Sequence, residues 1–423
     1  MVDNLAPRPV AGPRVVVTGL GALTPIGNDP EAYWKNLVAG VSGIECITQF
    51  DPKDLQVKIA AEVKGFEPGM YMEAREARRV NRFAQFAIAT AAQALKDSGL
   101  EITDENADRI AVVFNTGGGG VGATYDESVL AYTRGVSRVS PLFLPGMIAN
   151  MASCQVSLAF GIKGPLVTSV AACASSIYAF IDSYHMLRRG EVEAVVAGGT
   201  ESTLNGLAIA SLQNMHALSR SQRPPHEVSR PFDKERDGFV FGEGAGAVIL
   251  ETEEHAKARG AHIYAEVVGG AMTGDAYHVT APAPGGAGAA LAMQRAIAWA
   301  GLRPDEIDLI IAHGTSTPLN DVAETAAIKT AFGEHARRVA ISAPKSMIGH
   351  GMGAAGICSG IAAILAIRDQ VAPPTINQTT PDPDCDLDYV PNVARPLPIN
   401  RVIVNGFGFG GMNAVTVIRR YEG

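Results

Sequence analysis

Four segments of this 423-residue chain carry groups that could act together on a carbonyl: Cys173 in SVAACASSIYAF, His313 in AHGTSTP, Lys345 and His350 in KSMIGHGMGAAG, and the glycine run of NGFGFGG. Cys173 stands where a strand-like run breaks into a helix-like one. A thiol at a helix N-terminus meets free N–H groups and the positive end of the macrodipole, which favour thiolate and are expected to lower its pKa. The competing role for any buried cysteine is packing, and that role suits Cys46, Cys154, Cys358 and Cys385. His313 and His350 each follow a strand and stand among small residues. Two neutral imidazoles beside a thiolate can donate N–H to a carbonyl oxygen and stabilise an enolate. Lys345 would add fixed positive charge that orients them, and glycine turns near the thiol would offer backbone N–H groups as an oxyanion hole. The chemistry of such a set is acyl transfer or condensation. Of the other histidines, His185, His226, His255, His262 and His335 suit solvated or packing roles, while His216 and His278 stay open.

Something must bring these distant residues together, and the chain contains a repeated plan. RVVVTGLGALTPIG matches HIYAEVVGGAMTGD, DRIAVVFNTGGGG matches IDLIIAHGTSTP, and EVEAVVAGGTES matches INRVIVNGFGFGGMNAV. The cysteine segment matches RVAISAPKSMIGHGMGAAG, which sets Cys173 opposite Ser346, and the helix candidate DPEAYWKNLVAG pairs with GAGAALAMQRAIAWAG. The Val- and Ile-rich strands read as buried on both faces. The pattern predicts two similar α/β halves, residues 1–255 carrying the cysteine and 256–423 carrying the histidines and lysine. Ligands gather at the carboxyl ends of strands in such sheets, where all four segments lie.

Bulk properties remove other classes. Hydrophobic residues at 47% and charged residues at 18% suit a compact α/β enzyme. A net charge of -8 disfavours nucleic acid as a partner. The five cysteines form no C-x-x-C pair, so neither a disulfide framework nor a metal site is indicated, and reduced thiols fit a cytoplasmic address. TGLGALTP has Thr24 where a dinucleotide fingerprint has its third glycine, and NGFGFGG runs into a strand rather than a helix. A cofactor-free, metal-free enzyme is expected. The N-terminus MVDNLAPRPVAGP is polar and proline-rich, and no apolar run reads as a membrane span.

VAACASS, RPFDKERDGFVFGEGAGAVILE, AHGTSTPLND, KSMIGHGMGAAG and NGFGFGGMNA, in this order, resemble the motifs of β-ketoacyl-[acyl-carrier-protein] synthase II, a condensing enzyme of bacterial fatty-acid elongation. The resemblance implies a thiolase-like fold, a duplicated five-layer αβαβα sandwich that forms a homodimer and works with acyl carrier protein. It makes Cys173 the acyl acceptor, His313 and His350 the pair acting on the malonyl thioester, and Lys345 their organiser. It gives Phe409 the roles of acyl gate and oxyanion-hole donor beside Cys173. Thr315 and Thr317 would contact the pantetheine arm, and Asp321 and Glu324 would support the active-site loop. Gly118 falls where a bulky residue commonly closes the acyl pocket, which implies free space there. A ketosynthase of a polyketide or specialised lipid pathway shares all this chemistry. A non-catalytic chain-length subunit would lack the nucleophile, so Cys173 speaks against it. For the acidic carrier protein, Arg75, Arg78, Arg79 and Arg82 fall at i, i+3, i+4 and i+7, which predicts one basic helix face for docking.

Overall fold

The structure is a computed structural model that describes residues 12–423; the proline-rich segment up to residue 11 lies outside the described residues. Ten strands form one sheet. In the first half these are β1 (Val15–Leu23), β2 (Ile110–Asn115), β3 (Leu166–Val167), β4 (Ala194–Glu201) and β5 (Gly244–Thr252). The second half supplies β6 (Ala265–Gly274), β7 (Leu309–Ile311), β8 (Ala340–Ser342), β9 (Arg401–Gly408) and β10 (Met412–Arg419). From the centre outward the halves run β1-β5-β4-β2-β3 and β6-β10-β9-β7-β8, the same order strand for strand. They join where Val15–Val17 of β1 pair antiparallel with Ala265–Val267 of β6. The sheet is mixed. The outer strands β4, β2 and β3 pair in parallel, while β1, β5 and β4 are joined antiparallel.

Two helices lie in the middle, α3 (Ser175–Arg188) and α6 (Ala355–Asp369), each entered through a single 3₁₀ turn, Ala172–Ala174 and Met352–Ala354. The stretch Met352–Asp369 is long and apolar enough to cross a membrane, but 83% of it is buried inside the protein, as suits a helix that is apolar all round and packed on every side. Outside the sheet, α1 (Arg82–Ser98) turns Phe83, Phe86, Ala87, Ala91 and Leu95 inward beside α2 (Met151–Phe160), and α4 (Ala287–Trp299) and α5 (Pro318–Phe332) cover the other half. The two halves of the sheet enclose α3 and α6 and carry α1 on one outer face and α4 with α5 on the other, which gives the five layers, α, β, α, β and α, of the thiolase-like fold.

Two pairings differ from the expected duplication. The counterpart of α4 is α1 rather than Pro30–Val38, which instead packs into the central core through Tyr33, Trp34 and Leu37 and is tied to α6 by Trp34 Nε1 donating to Asp369 at 2.6 Å. Cys173 lies opposite Gly353, not Ser346. The left-handed residues that open the two turns, Ala172 (φ 47°) and Met352 (φ 42°), fix that register. Lys345–Ile348 is an extra short helix that shifts the sequence match by several residues.

Candidate active site

All four chemical segments end on one cavity of about 280 Å³, lined by Cys173, His313, His350, Thr315, Thr317 and Phe409 among others. Cys173 is 3% exposed. The backbone N–H groups of Cys173 itself and of Phe409 donate toward its sulfur. Phe409 reaches that position because the β9–β10 turn presses against the cysteine turn. A Cβ on Gly408 would lie 2.8 Å from Ala171 O and 3.1 Å from Cys173 N, so only glycine fits.

The expected lowering of the thiol pKa is reversed in the structure. Burial pushes the Cys173 thiol up to about 12, against the opposing pull of Lys345 and the Phe409 N–H. The physical reason is that the sulfur lies almost out of water and helix α3 begins only at Ser175, with a 3₁₀ turn between. In the resting protein Cys173 is a neutral thiol surrounded by donors ready for negative charge.

The histidine rings stand edge to face, with centroids 5.4 Å apart. Burial holds both well below the usual histidine range, with Lys345 reinforcing the shift, so both are neutral at pH 7. Nδ1 of each is buried without a hydrogen-bond partner. Their backbones are pinned from several sides. His313 N donates to Glu324 Oε1 at 2.8 Å, and Gly314 N donates to Glu324 Oε2 at 2.7 Å. Lys345 Nζ donates to His313 O at 2.6 Å. Asp321 accepts from Thr315 N and Ser316 N at 3.1 Å each and from Phe232 N at 2.8 Å, so the whole loop 313–316 hangs on two buried carboxyls. Thr315 and Thr317 hydroxyls lie 3.0 Å apart at the cavity wall. Burial lowers Lys345 to about 8, with Glu324 the leading opposing charge.

The β-ketoacyl synthase N-terminal domain family matches residues 13–256, and the β-ketoacyl synthase C-terminal domain family matches 264–379. This chain belongs to the β-ketoacyl synthase family. It is 47% identical over 413 residues to 3-oxoacyl-[acyl-carrier-protein] synthase 2 of Synechocystis sp., covering 97% of this chain and 98% of that protein. It is 45% identical to the protein of the same name from Coxiella burnetii, over 96% of this chain and 98% of that one. Among solved structures, the ishigamide ketosynthase/chain length factor superposes with TM-score 0.91 at 37% identity, covering 97% of this chain and all of that one. A type II polyketide ketosynthase in complex with its acyl-carrier protein superposes with TM-score 0.88 at 33% identity, with the same coverage. The family is an acyltransferase family of condensing enzymes.

Two of the expected assignments need correction in this synthase. The arginines do not share a helix: Ala74–Ala77 is one short helix, the chain is extended at Asn81 (ψ 150°), and α1 starts at Arg82. Arg75, Arg78 and Arg79 are exposed, but Arg82 turns inward. It forms a bidentate pair with buried Glu243 at 2.8 and 3.0 Å and lies 4.5 Å from the centre of the Phe86 ring, so it is structural rather than free for docking. Gly118 does not leave open space. A Cβ there would lie 2.5 Å from Thr203 Cγ2 and 3.2 Å from Glu201 Oε1.

The sequence reading also passed over residues that shape the site. Met352 places Sδ 3.9 Å from Cys173 Sγ. Phe239 sets its ring edge to face with His350, centroids 5.2 Å apart, while Val240 O and Gly242 N bond the His350 backbone. Asn405 donates to Glu324 at 3.0 Å. Glycine-flanked FVFGEG and VNGFG carried the signal for Phe239 and Asn405, because a polar or aromatic residue there borders a strand end.

Proposed function

We propose that this synthase carries out the decarboxylating condensation of malonyl-[acyl carrier protein] with an acyl chain held on Cys173, giving β-ketoacyl-[acyl carrier protein] in fatty-acid elongation. The observation that carries the reading is one enclosed cavity holding a thiol under two N–H donors and two neutral imidazoles with unpartnered ring nitrogens.

In the first stage the Cys173 sulfur attacks the acyl thioester carbonyl. The oxyanion is held by the N–H groups of Cys173 and Phe409, and the pantetheine thiolate departs and takes up the thiol proton. In the second, the malonyl thioester oxygen binds the His313 and His350 imidazoles. Carbon dioxide leaves, the electrons of the broken C–C bond form the enolate, and its carbon attacks the Cys173 thioester and displaces the sulfur. Lys345 holds His313 by its carbonyl and supplies positive charge, Thr315 and Thr317 line the pantetheine path, and Phe409 gates the acyl side. Identity of 45–47% to proteins named 3-oxoacyl-[acyl-carrier-protein] synthase 2, against 33% to the type II polyketide ketosynthase, favours elongation over a polyketide pathway.

The working unit is a homodimer. Leu166 (42% exposed) on the edge strand β3, Val170 (55%) just after it and Leu158 (75%) on the helix beside it are exposed apolar side chains that a second copy would bury. Five free thiols support a cytoplasmic address.

Mass spectrometry after incubation with acyl carrier proteins of graded chain length tests the function, together with release of carbon dioxide from malonyl-[acyl carrier protein]. Cys173→Ala is expected to take up no acyl group and keep its fold, while His313→Ala and His350→Ala keep acylation and lose decarboxylation by about two orders of magnitude. An acylated Cys173→Ala protein would refute the assignment.

A further inference from the structure

A neutral thiol has one proton to place, and the wall of the cavity decides where it goes. The backbone N–H groups of Cys173 and Phe409 already donate toward the sulfur, so its lone-pair side is taken. Met352 closes the remaining direction. Its Sδ lies 3.9 Å from Cys173 Sγ, placed to accept the thiol hydrogen, and among the described residues it is the one side-chain acceptor bonded to that thiol. A thioether accepts weakly, but water barely competes with it, because Cys173 is 3% exposed.

The surroundings of Met352 hold it in this position. Its backbone is left-handed, φ 42°, a region that a long side chain adopts only where the neighbouring structure imposes it. The next residue anchors the turn: Glu201 Oε2 accepts from Gly353 N at 3.2 Å and from Gly117 N at 2.9 Å, which ties it to the turn after β2. On its apolar side Met352 packs against the cluster that contains Phe239 and Phe241. Leucine has a similar volume and would satisfy that packing, but it offers no lone pair. What the Met352 sulfur adds is an acceptor.

Resting on the reading of Cys173 as acyl acceptor, we propose that Met352 is a positioning residue that accepts the Cys173 thiol hydrogen and so keeps a sulfur lone pair aimed into the cavity. When the acyl thioester binds, its carbonyl oxygen takes over the N–H groups of Cys173 and Phe409. The lone pair they release faces the carbonyl carbon, while the proton stays on the Met352 side. The Cys173 S–C bond then forms, the pantetheine C–S bond breaks, and the thiol proton passes to the departing pantetheine sulfur. The contact acts in this first stage alone, because in the second the Cys173 sulfur carries the acyl group and has no proton to place.

The test uses Met352→Leu, which keeps the volume and removes the acceptor, and Met352→Gln, whose amide oxygen restores one. Raman spectra locate the Cys173 S–H stretch as the band lost in Cys173→Ala. In Met352→Leu that band should move up to the frequency of an unbonded thiol, and the acylation rate, read by intact-protein mass, should fall by about fivefold. Met352→Gln should keep the band low and the acylation rate within about twofold of wild type. Condensation in a single turnover started from preformed acyl-enzyme should stay within about twofold of wild type in both variants. A Met352 that served packing alone would slow both stages together in Met352→Leu or leave the S–H band in place, and either result would overturn the proposal. Should Met352→Leu not fold, Met352→Gln carries the test: its stronger acceptor should lower the band below the wild-type position, and an unshifted band overturns the assignment. A wild type whose Cys173 takes up no acyl group would instead remove the condensing reading on which the proposal rests.

Discussion

At Lys345, burial and function pull in opposite directions. The residue is 2% exposed and its ammonium is held to about 8, below the 10.5 of a solvated lysine. Between those two values the unfolded chain keeps the proton and the folded one does not, so stability rises with pH across that window. At pH 7 both states are charged and the buried ammonium is a standing cost on the order of 3 kcal/mol, offset in part by its hydrogen bond to His313 O. Lys345→Met should therefore raise the calorimetric unfolding midpoint at pH 7 while lowering malonyl decarboxylation by about two orders of magnitude. A lowered midpoint would mean that the bond to His313 outweighs the burial cost. In the wild type, decarboxylation should fall as pH passes through about 8 and the charge is lost.

Among the elements, the strands were legible because a strand buried on both faces writes its burial into a run such as VVVTGLGAL, and the repeated order of such runs revealed the duplication. The residues of the proposed site could be brought together on paper for a related reason, since each follows one of those strands, and Cys173, His313 and His350 do line one cavity. What could not be read depended on partners far along the chain. Arginine spacing from 75 to 82 fits a helix, yet Gln85 Nε2 donates to Ala77 O and Val80 O at 2.7 and 2.9 Å across the break, and Glu243 draws Arg82 inward from 161 residues away. Glu201 looked like an ordinary strand residue because its donors come from 83 to 152 residues away. Arg82→Ala should leave the buried Glu243 charge held only by Gln49 Nε2 and Val63 N, a loss of about 2 kcal/mol of stability in urea unfolding. Adding Glu243→Gln should recover much of that loss, because the charge left behind is then gone. Failure to recover would place the contribution of Arg82 in its packing on Phe66 and Phe86 instead.

For the whole molecule, two surfaces remain to be matched with partners. The homodimer proposed above would pair along the edge strand β3, so Leu158→Asp with Leu166→Asp is expected to give a monomer in sedimentation; an unchanged dimer would put the interface elsewhere. The carrier protein poses a different problem, because an acidic partner approaches a chain of net charge -8. Long-range repulsion has to be overcome locally, and with Arg82 committed to Glu243 the exposed candidates are Arg75, Arg78 and Arg79, clustered on the short helix Ala74–Ala77 and the turn after it. Charges on such a surface act through encounter and orientation, and salt screens them within about 8 Å at physiological ionic strength. Arg78→Glu with Arg79→Glu should raise the KM for acyl-[acyl carrier protein] by about tenfold at low salt, with the gap closing as salt is added. Acylation by a small acyl-pantetheine thioester should stay within about twofold of wild type, since Cys173 and both histidines are untouched. If the small thioester and the carrier protein lost rate together, these arginines would be supporting the fold, and the docking surface would have to be another part of the rim around the cavity mouth.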